Sequence, residues 1–280
     1  EACNYTCCPG PGCCSLGHYW DWGLEKCFDI VPSDTDFDGC VSMTDLLDLL
    51  TVFGTCAEED SEEELGEWSC GDPLEYQGYD YETVQIGDQC WFAENLRVEN
   101  YRNGDVIPAG LSDSEWFSTT SGAAAVYGEG SGCEDYSPDV DACNAEASLE
   151  VYGRHYNHYA VDDTRGLCPI GWHVPTDGEW TGITNELGGD SVAGGMMMAT
   201  SGWNNGGDGN NSSGLSGLPA GNRYNDGHFY YAGIHCFWWS SSSNGVNAWY
   251  RVLSSNSDVV DRFDADPRDG FSVRCVRDSE

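Results

Sequence analysis

The sequence predicts an α+β domain with few helices and long structured loops, preceded by a small disulfide-rich module. Three observations lead there. Fifteen cysteines fall into two groups on either side of an acidic run. One segment, 177–187, carries a full set of helix signals, whereas 194–235 is a long stretch rich in Gly, Asn and Ser. The C-terminal part then offers short β-favouring runs at 237–241, 248–253, 258–263 and 271–277. A helix in the middle, irregular loops and a β-rich end describe an α+β domain.

The N-terminal module, 1–57, holds eight of the cysteines, with adjacent doublets at Cys7-Cys8 and Cys13-Cys14. Doublets without a following His pair do not match zinc-finger spacing, so a disulfide framework made in an oxidising compartment explains them better. Within the module, Asp34, Asp36 and Asp38 precede Gly39, and Asp45 closes a twelve-residue loop. Carboxylates at positions 1, 3 and 5 of a tight turn converge on a hard cation. The expected ligands of one Ca2+ are therefore Asp34, Asp36, Asp38 and Asp45, the Cys40 carbonyl, and Ser42 acting through water. Leu46, Leu47, Leu49, Leu50 and Phe53 form the apolar stripe of the helix that leaves the loop, and Gly54 ends it.

Residues 58–69 form a linker, because 58–67 contain seven acids and one apolar residue and such a run repels itself. The second unit, 70–280, opens with a hairpin over 82–92 turning at Gly87-Asp88. In the helix at 177–187, Thr176 and Glu179 form a capping box, Trp180, Ile183 and Leu187 share a face, and Gly188 follows the end. The loop stretch 194–235 has to be pinned by side-chain hydrogen bonds, a disulfide or a metal; its turn Gly207–Asn211 is a candidate for a second calcium.

Charge restricts the partners. With 48 acids, 11 basic residues and a net charge of −37, phosphate-backbone binding and adhesion to anionic membranes are excluded. No apolar run approaches the ~18 residues of a membrane span. Aromatic content of 12% sets the chain apart from disordered acidic tails. Opening at Glu1 without a basic or apolar leader, it reads as a processed, secreted polypeptide. Asn4, Asn210 and Asn211 begin glycosylation triplets.

Several blocks carry a resemblance: VQIGDQCWFAENLR (84–97), YGRHYNHYAV (152–161), GLCPIGWHVPTDGEW (166–180), SSGLSGLPAGNRYNDGHF (212–229), WWSSS (238–242), AWYRVL (248–253) and GFSVRCVRD (270–278). Through them residues 72–278 resemble the Fibrobacter succinogenes major paralogous domain of bacterial secreted and surface proteins. Segment 113–150, with Cys133 and Cys143, looks like an insertion, and those two cysteines are expected to bridge within it. The resemblance implies a C-type-lectin-like architecture, similar also to formylglycine-generating enzymes, with Cys168 and Cys275 bridged. It implies no reaction. The loop at 34–45, with Asp rather than the EF-hand Glu at its last position, resembles the calcium loop of dockerin modules, which carry two such loops where this chain has one.

Other residue groups have blander readings. His155, His158, His173, His228 and His235 are expected to be scattered rather than to cluster on a metal. Trp238, Trp239, Trp249 and Tyr250 are expected in the core, with a sugar-stacking platform as the other reading. Met196–Met198 read as packing, and Ser240–Ser243 lacks a nucleophile elbow. The expected role is a secreted, non-catalytic structural or adhesive protein of the bacterial surface, stabilised by disulfides and calcium. Self-association into a filament or oligomer is expected, since the cysteine total is odd and the Leu46–Phe53 stripe needs a cover. The alternatives are a carbohydrate-binding module tethered by its dockerin-like loop, and a formylglycine-generating-enzyme-like oxidase. No nucleophile–base spacing or paired-acid motif supports the last.

Overall fold

A computed structural model describes residues 18–21, 26–29, 68–130 and 132–279, and the chain divides into two units, Glu1–Glu67 and Trp68–Glu280. In the first, β1 (His18–Asp21) and β2 (Lys26–Asp29) pair antiparallel with Trp20 opposite Cys27. The calcium loop expected at 34–45, with Asp34, Asp36, Asp38, Cys40, Ser42 and Asp45, lies outside the described residues. So do the helix expected after it and the acidic run 58–67.

The second unit begins with β3 (Leu74–Tyr76), β4 (Tyr79–Tyr81), β5 (Thr83–Ile86) and β6 (Gln89–Phe92). Helix α1 (Asp113–Ser118), β7 (Ala124–Ala125), β8 (Cys133–Asp135), α2 (Ala145–Tyr152), β9 (His155–Asn157) and α3 (His158–Val161) follow. Next come β10 (Trp172–His173), α4 (Asp177–Glu186), α5 (Ala193–Met197), β11 (Ala220–Arg223) and β12 (Phe229–Ala232). The chain closes with β13 (His235–Asn244), β14 (Asn247–Ser254), β15 (Asp261–Ala265), β16 (Gly270–Phe271) and β17 (Val276–Arg277). The described residues are thus mainly β with few, short helices, none long and apolar enough to cross a membrane.

A four-stranded sheet runs β10-β17-β6-β5, and a larger one runs β15-β14-β13-β11-β16-β9-β7, with β12 on β11 and β8 on β12. The 82–92 hairpin forms over β5 and β6, with Gly87 at φ +57 in its turn. The capping box forms too: Thr176 accepts from the Glu179 amide, and Glu179 accepts from the Thr176 amide. From α4, Trp180 stacks on Trp238 at 5.3 Å and donates to the Trp239 carbonyl, joining helix to sheet.

Two strand expectations change. The strand expected over 271–277 is two short strands, because its backbone serves different partners: Trp239 donates to the Ser272 carbonyl, Leu96 to Val273 and Phe92 to Cys275. The strand expected at 258–263 starts later, at Asp261. Segment 113–150, read as an insertion, is built into the body. Its Trp116 and Tyr127 are fully buried, and the buried Arg223 guanidinium lies 4.4 Å over the Trp116 ring.

Three disulfides brace this unit: Cys70–Cys90, Cys133–Cys143 and Cys168–Cys275. The second and third join the expected partners. Among the described residues Cys236 is the free thiol, and it is fully buried. This buried thiol is not the cysteine that would bridge to another chain, and the pairing of the eight N-terminal cysteines lies outside the described residues. The stretch 194–235 is held by hydrogen bonds. Asn211 receives the Ser216 amide and donates to its hydroxyl, Asp208 receives the Trp203 amide, and Trp203 Nε1 donates to the Gly217 carbonyl.

Candidate functional site

The most distinctive surface of the second unit is aromatic, and the β11–β12 hairpin presents much of it. Between the strands, residues 224–228 make a tight turn in which Tyr224 receives the Gly227 amide and donates its own to the His228 carbonyl. Gly227 takes φ +96, and a Cβ there would fall 2.4 Å from the Asp113 backbone. Tyr224 and Asp226 thereby stand at the hairpin tip.

On β12, Tyr231 adopts φ +69, a left-handed conformation that a bulky side chain rarely takes. Across from it Gly221 is also left-handed at φ +63, where a Cβ would meet the Tyr230 carbonyl at 2.4 Å. The register of β12 against β8 shifts over the same residues. A regular strand would turn one of two successive side chains inward. Here Tyr230 is half-buried and Tyr231 is exposed, with their rings 6.0 Å apart.

The surface continues across the sheet. Tyr224 lies 6.2 Å from Tyr230, Tyr231 lies 6.4 Å from Phe237, Phe237 lies 6.0 Å from Tyr250, and Tyr250 lies 6.1 Å from its cross-strand partner Phe263. His235 sits between Tyr231 and Phe237 and donates to or accepts from Ser254 Oγ at 2.9 Å. Phe237 is nearly covered, while Tyr224 (46%), Tyr231 (43%) and Phe263 (51%) remain open. Exposed large aromatics on a disulfide-braced sheet are a binding signal in a way that isolated exposed apolar residues are not.

Its polar groups are largely committed. Asp226 accepts from the His228 amide and from the Tyr230 hydroxyl. Burial and that carboxylate raise the Tyr230 pKa. Asp269 accepts from the Asn225 amide at 2.8 Å, and burial pushes its pKa up to about 7. Burial likewise pushes the Tyr250 phenol up to about 12, with Asp269, Asp264, Asp261 and Tyr224 adding to the effect. Asp264 accepts from Asn247 Nδ2 at 2.6 Å. The arrangement offers ring faces and hydrogen-bonding groups.

The sequence candidates lie elsewhere or only partly here. Trp238 and Trp239 are fully buried, as the core reading expects; Trp249 lies under the Arg262 guanidinium at 3.4 Å; only Tyr250 joins the surface. The histidines are dispersed: His155 contacts the Gly221 carbonyl, His158 the Ser240 carbonyl, His228 Asp113, and His173 is held between Glu179 and Asp278 on opposite ring nitrogens. Among the described residues no group of three His, Cys, Asp or Glu is placed to hold a metal. Met197 and Met198 are buried packing. Asn211 is tied to Ser216, and Asn210 is exposed. A second concavity, about 630 Å³, lies beside Tyr79, Asn100 and Glu146. Its two arginines are engaged: Arg97 stacks on Tyr79 at 3.7 Å and pairs with Glu94, and Arg154 pairs with Glu99.

Residues 84–277 match the family model of the Fibrobacter succinogenes major domain. The chain belongs to that family. No curated protein and no solved structure matches it. Within this Fibrobacter major domain, Tyr224, Asn225, Asp226 and Tyr231 fall inside the matched span, as do both strands that carry Tyr250 and Phe263. Sequence reasoning missed Tyr224, Tyr231 and Phe263. The available signal was the doublet Tyr230-Tyr231 beside the Asn225-Asp226-Gly227 turn, which a strictly alternating strand would not place on one side.

Proposed function

We propose that this protein is a secreted, non-catalytic adhesive module of the bacterial surface, with the Tyr224–Tyr231–Phe263 surface as its working face. The observation that carries this reading is the exposure of those three rings on a sheet whose strand β8 is held by the Cys133–Cys143 disulfide. The disulfides favour an oxidising compartment. A C-type-lectin-like architecture is supported by the Cys168–Cys275 bridge, which ties the segment before α4 to the end of the chain. In the N-terminal module, Asp34, Asp36, Asp38, Asp45, the Cys40 carbonyl and Ser42 are proposed to hold Ca2+. The Leu46–Phe53 stripe supports self-association through that module.

Cysteine chemistry favours adhesion over the oxidase reading. Six of the seven cysteines in the second unit are bridged, and burial raises the pKa of the seventh, Cys236, away from the reactive thiolate.

The test is attachment of protein-coated beads to films of polysaccharide and to a layer of the same protein, at millimolar calcium. Saturable attachment to at least one film, lost in the Tyr224→Ala/Tyr231→Asn/Phe263→Ala variant, is expected. Attachment that the triple variant retains, or none to any film, overturns the reading.

A further inference from the structure

We infer that the aromatic face binds a single chain of uncharged polysaccharide, across Tyr224, Tyr231, Tyr250 and Phe263. This rests on the adhesive reading above and names its ligand class.

Ring faces exposed to water bind partners that present C–H surfaces, and sugar rings combine such faces with hydroxyls at their edges. Two pairs of open or half-open rings line the surface, Tyr230–Tyr231 at 6.0 Å and Tyr250–Phe263 at 6.1 Å, with the nearly covered Phe237 packed between them. Neither pair is coplanar: Tyr230–Tyr231 is tilted by 43° and Tyr250–Phe263 by 42°. Tilted rings cannot all lie flat against a planar crystalline face, whereas a flexible single chain can turn each sugar to its own ring.

Charge narrows the class further. Asp226, Asp261, Asp264 and Asp269 surround the rings, and the whole chain carries −37, so anionic glycans are repelled. The same field attracts cations, but three of these carboxylates already accept hydrogen bonds from neutral donors within the protein. Asp226 is already bonded to the His228 amide and the Tyr230 hydroxyl, Asp264 to Asn247, and the buried Asp269 to the Asn225 amide. The lone pairs left on these carboxylates, with the tyrosine hydroxyls, can accept from and donate to neutral sugar hydroxyls. The left-handed Tyr231 is a second mark of a built surface, since Asn would be accommodated there more easily and the tyrosine ring still stays 43% exposed.

The experiment is affinity gel electrophoresis of the full chain in gels holding soluble mixed-linkage β-glucan, xyloglucan or soluble starch. Parallel gels hold polygalacturonate as the anionic polymer and chitosan as the cationic one, and a sedimentation arm uses microcrystalline cellulose. Retardation by at least one neutral polymer and not by polygalacturonate is expected. Tyr231→Asn and Phe263→Ala should each weaken it about tenfold, and Tyr231→Phe should retain it. Because Asn tolerates the left-handed backbone, Tyr231→Asn should melt no lower than wild type, which separates lost binding from lost folding. Three outcomes overturn the inference: retardation by chitosan alone, sedimentation with cellulose without retardation by any soluble polymer, or unchanged retardation in both variants. If bead attachment persists while no neutral polymer retards the chain, the ligand class is wrong and the adhesive reading stands.

Discussion

Arg274 Nη1 donates to the Leu215 carbonyl at 2.8 Å, joining the last segment of the chain to the Gly/Asn/Ser-rich stretch 59 residues earlier. The same guanidinium donates to Asn95 Oδ1 and to the Phe92 carbonyl, and it faces the Trp238 ring. Burial pushes its pKa down to about 10, so it is held in place as a charge against desolvation. Arg274→Met should leave the Leu215 and Phe92 carbonyls without its donors, while Asn95 Oδ1 keeps Trp238 Nε1, and should destabilise the second unit by roughly 2–4 kcal/mol. Chemical denaturation followed by tryptophan fluorescence measures it; a loss under ~1 kcal/mol would refute the pinning role.

Non-reducing peptide mapping should recover Cys70–Cys90, Cys133–Cys143 and Cys168–Cys275. The buried Cys236 should react with iodoacetamide only after unfolding. Removing Cys168–Cys275 frees a loop of 107 residues and should lower stability by about 4–5 kcal/mol on the chain-entropy account. Rapid alkylation of Cys236 in the folded protein would show that its shell is open.

His173 should make the fold more stable in acid. Its hydrogen bond to Glu179 raises its pKa, burial opposes this, and the contact with Asp278 at 2.5 Å adds to the rise. A histidine raised above its unfolded value of about 6.5 contributes fully below that pH and loses the contribution as pH climbs through the folded pKa. The melting-temperature gap between wild type and His173→Gln should therefore be widest near pH 5.5 and vanish in alkaline buffer. A gap that does not change with pH sinks the assignment.

Asp269 works in the same direction by a different cause. Burial lifts its folded pKa to about 7, above an unfolded value near 3.9, so ionising it as pH rises weakens the fold. Asp269→Asn keeps an acceptor for the Asn225 amide and stays neutral. Its melting temperature should match wild type near pH 4 and exceed it at pH 8; equality at pH 8 would disprove this.

For the calcium loop, titration calorimetry of chelator-stripped protein should show calcium binding that Asp36→Ala and Asp38→Ala abolish. Heats unchanged by both substitutions would place any calcium elsewhere. Light scattering in the same buffers reads self-association, which screening of the −37 charge by calcium and salt should favour.

Short-range features were legible in the residues themselves. The Gly87-Asp88 turn and the Thr176–Glu179 box are made by neighbours three or fewer positions apart, so local spacing suffices to foresee them. The family blocks marked the second unit and carried the Cys168–Cys275 bridge, while Cys133–Cys143 was expected as a short local bridge. Tertiary structure alone settled which aromatics face water. Trp238 and Trp239 are adjacent on one strand, yet both are buried, because α4 covers one face and the Tyr156–Phe271 cluster fills the other. Tyr230 and Tyr231 are adjacent too, yet neither is buried, because a left-handed residue and a register shift against β8 interrupt the alternation. It also settled that 271–277 is shared between two sheets, through hydrogen bonds to segments distant in sequence. Sequence spacing reports the periodicity of one element; burial depends on what packs against both of its faces, and only the assembled sheets specify that.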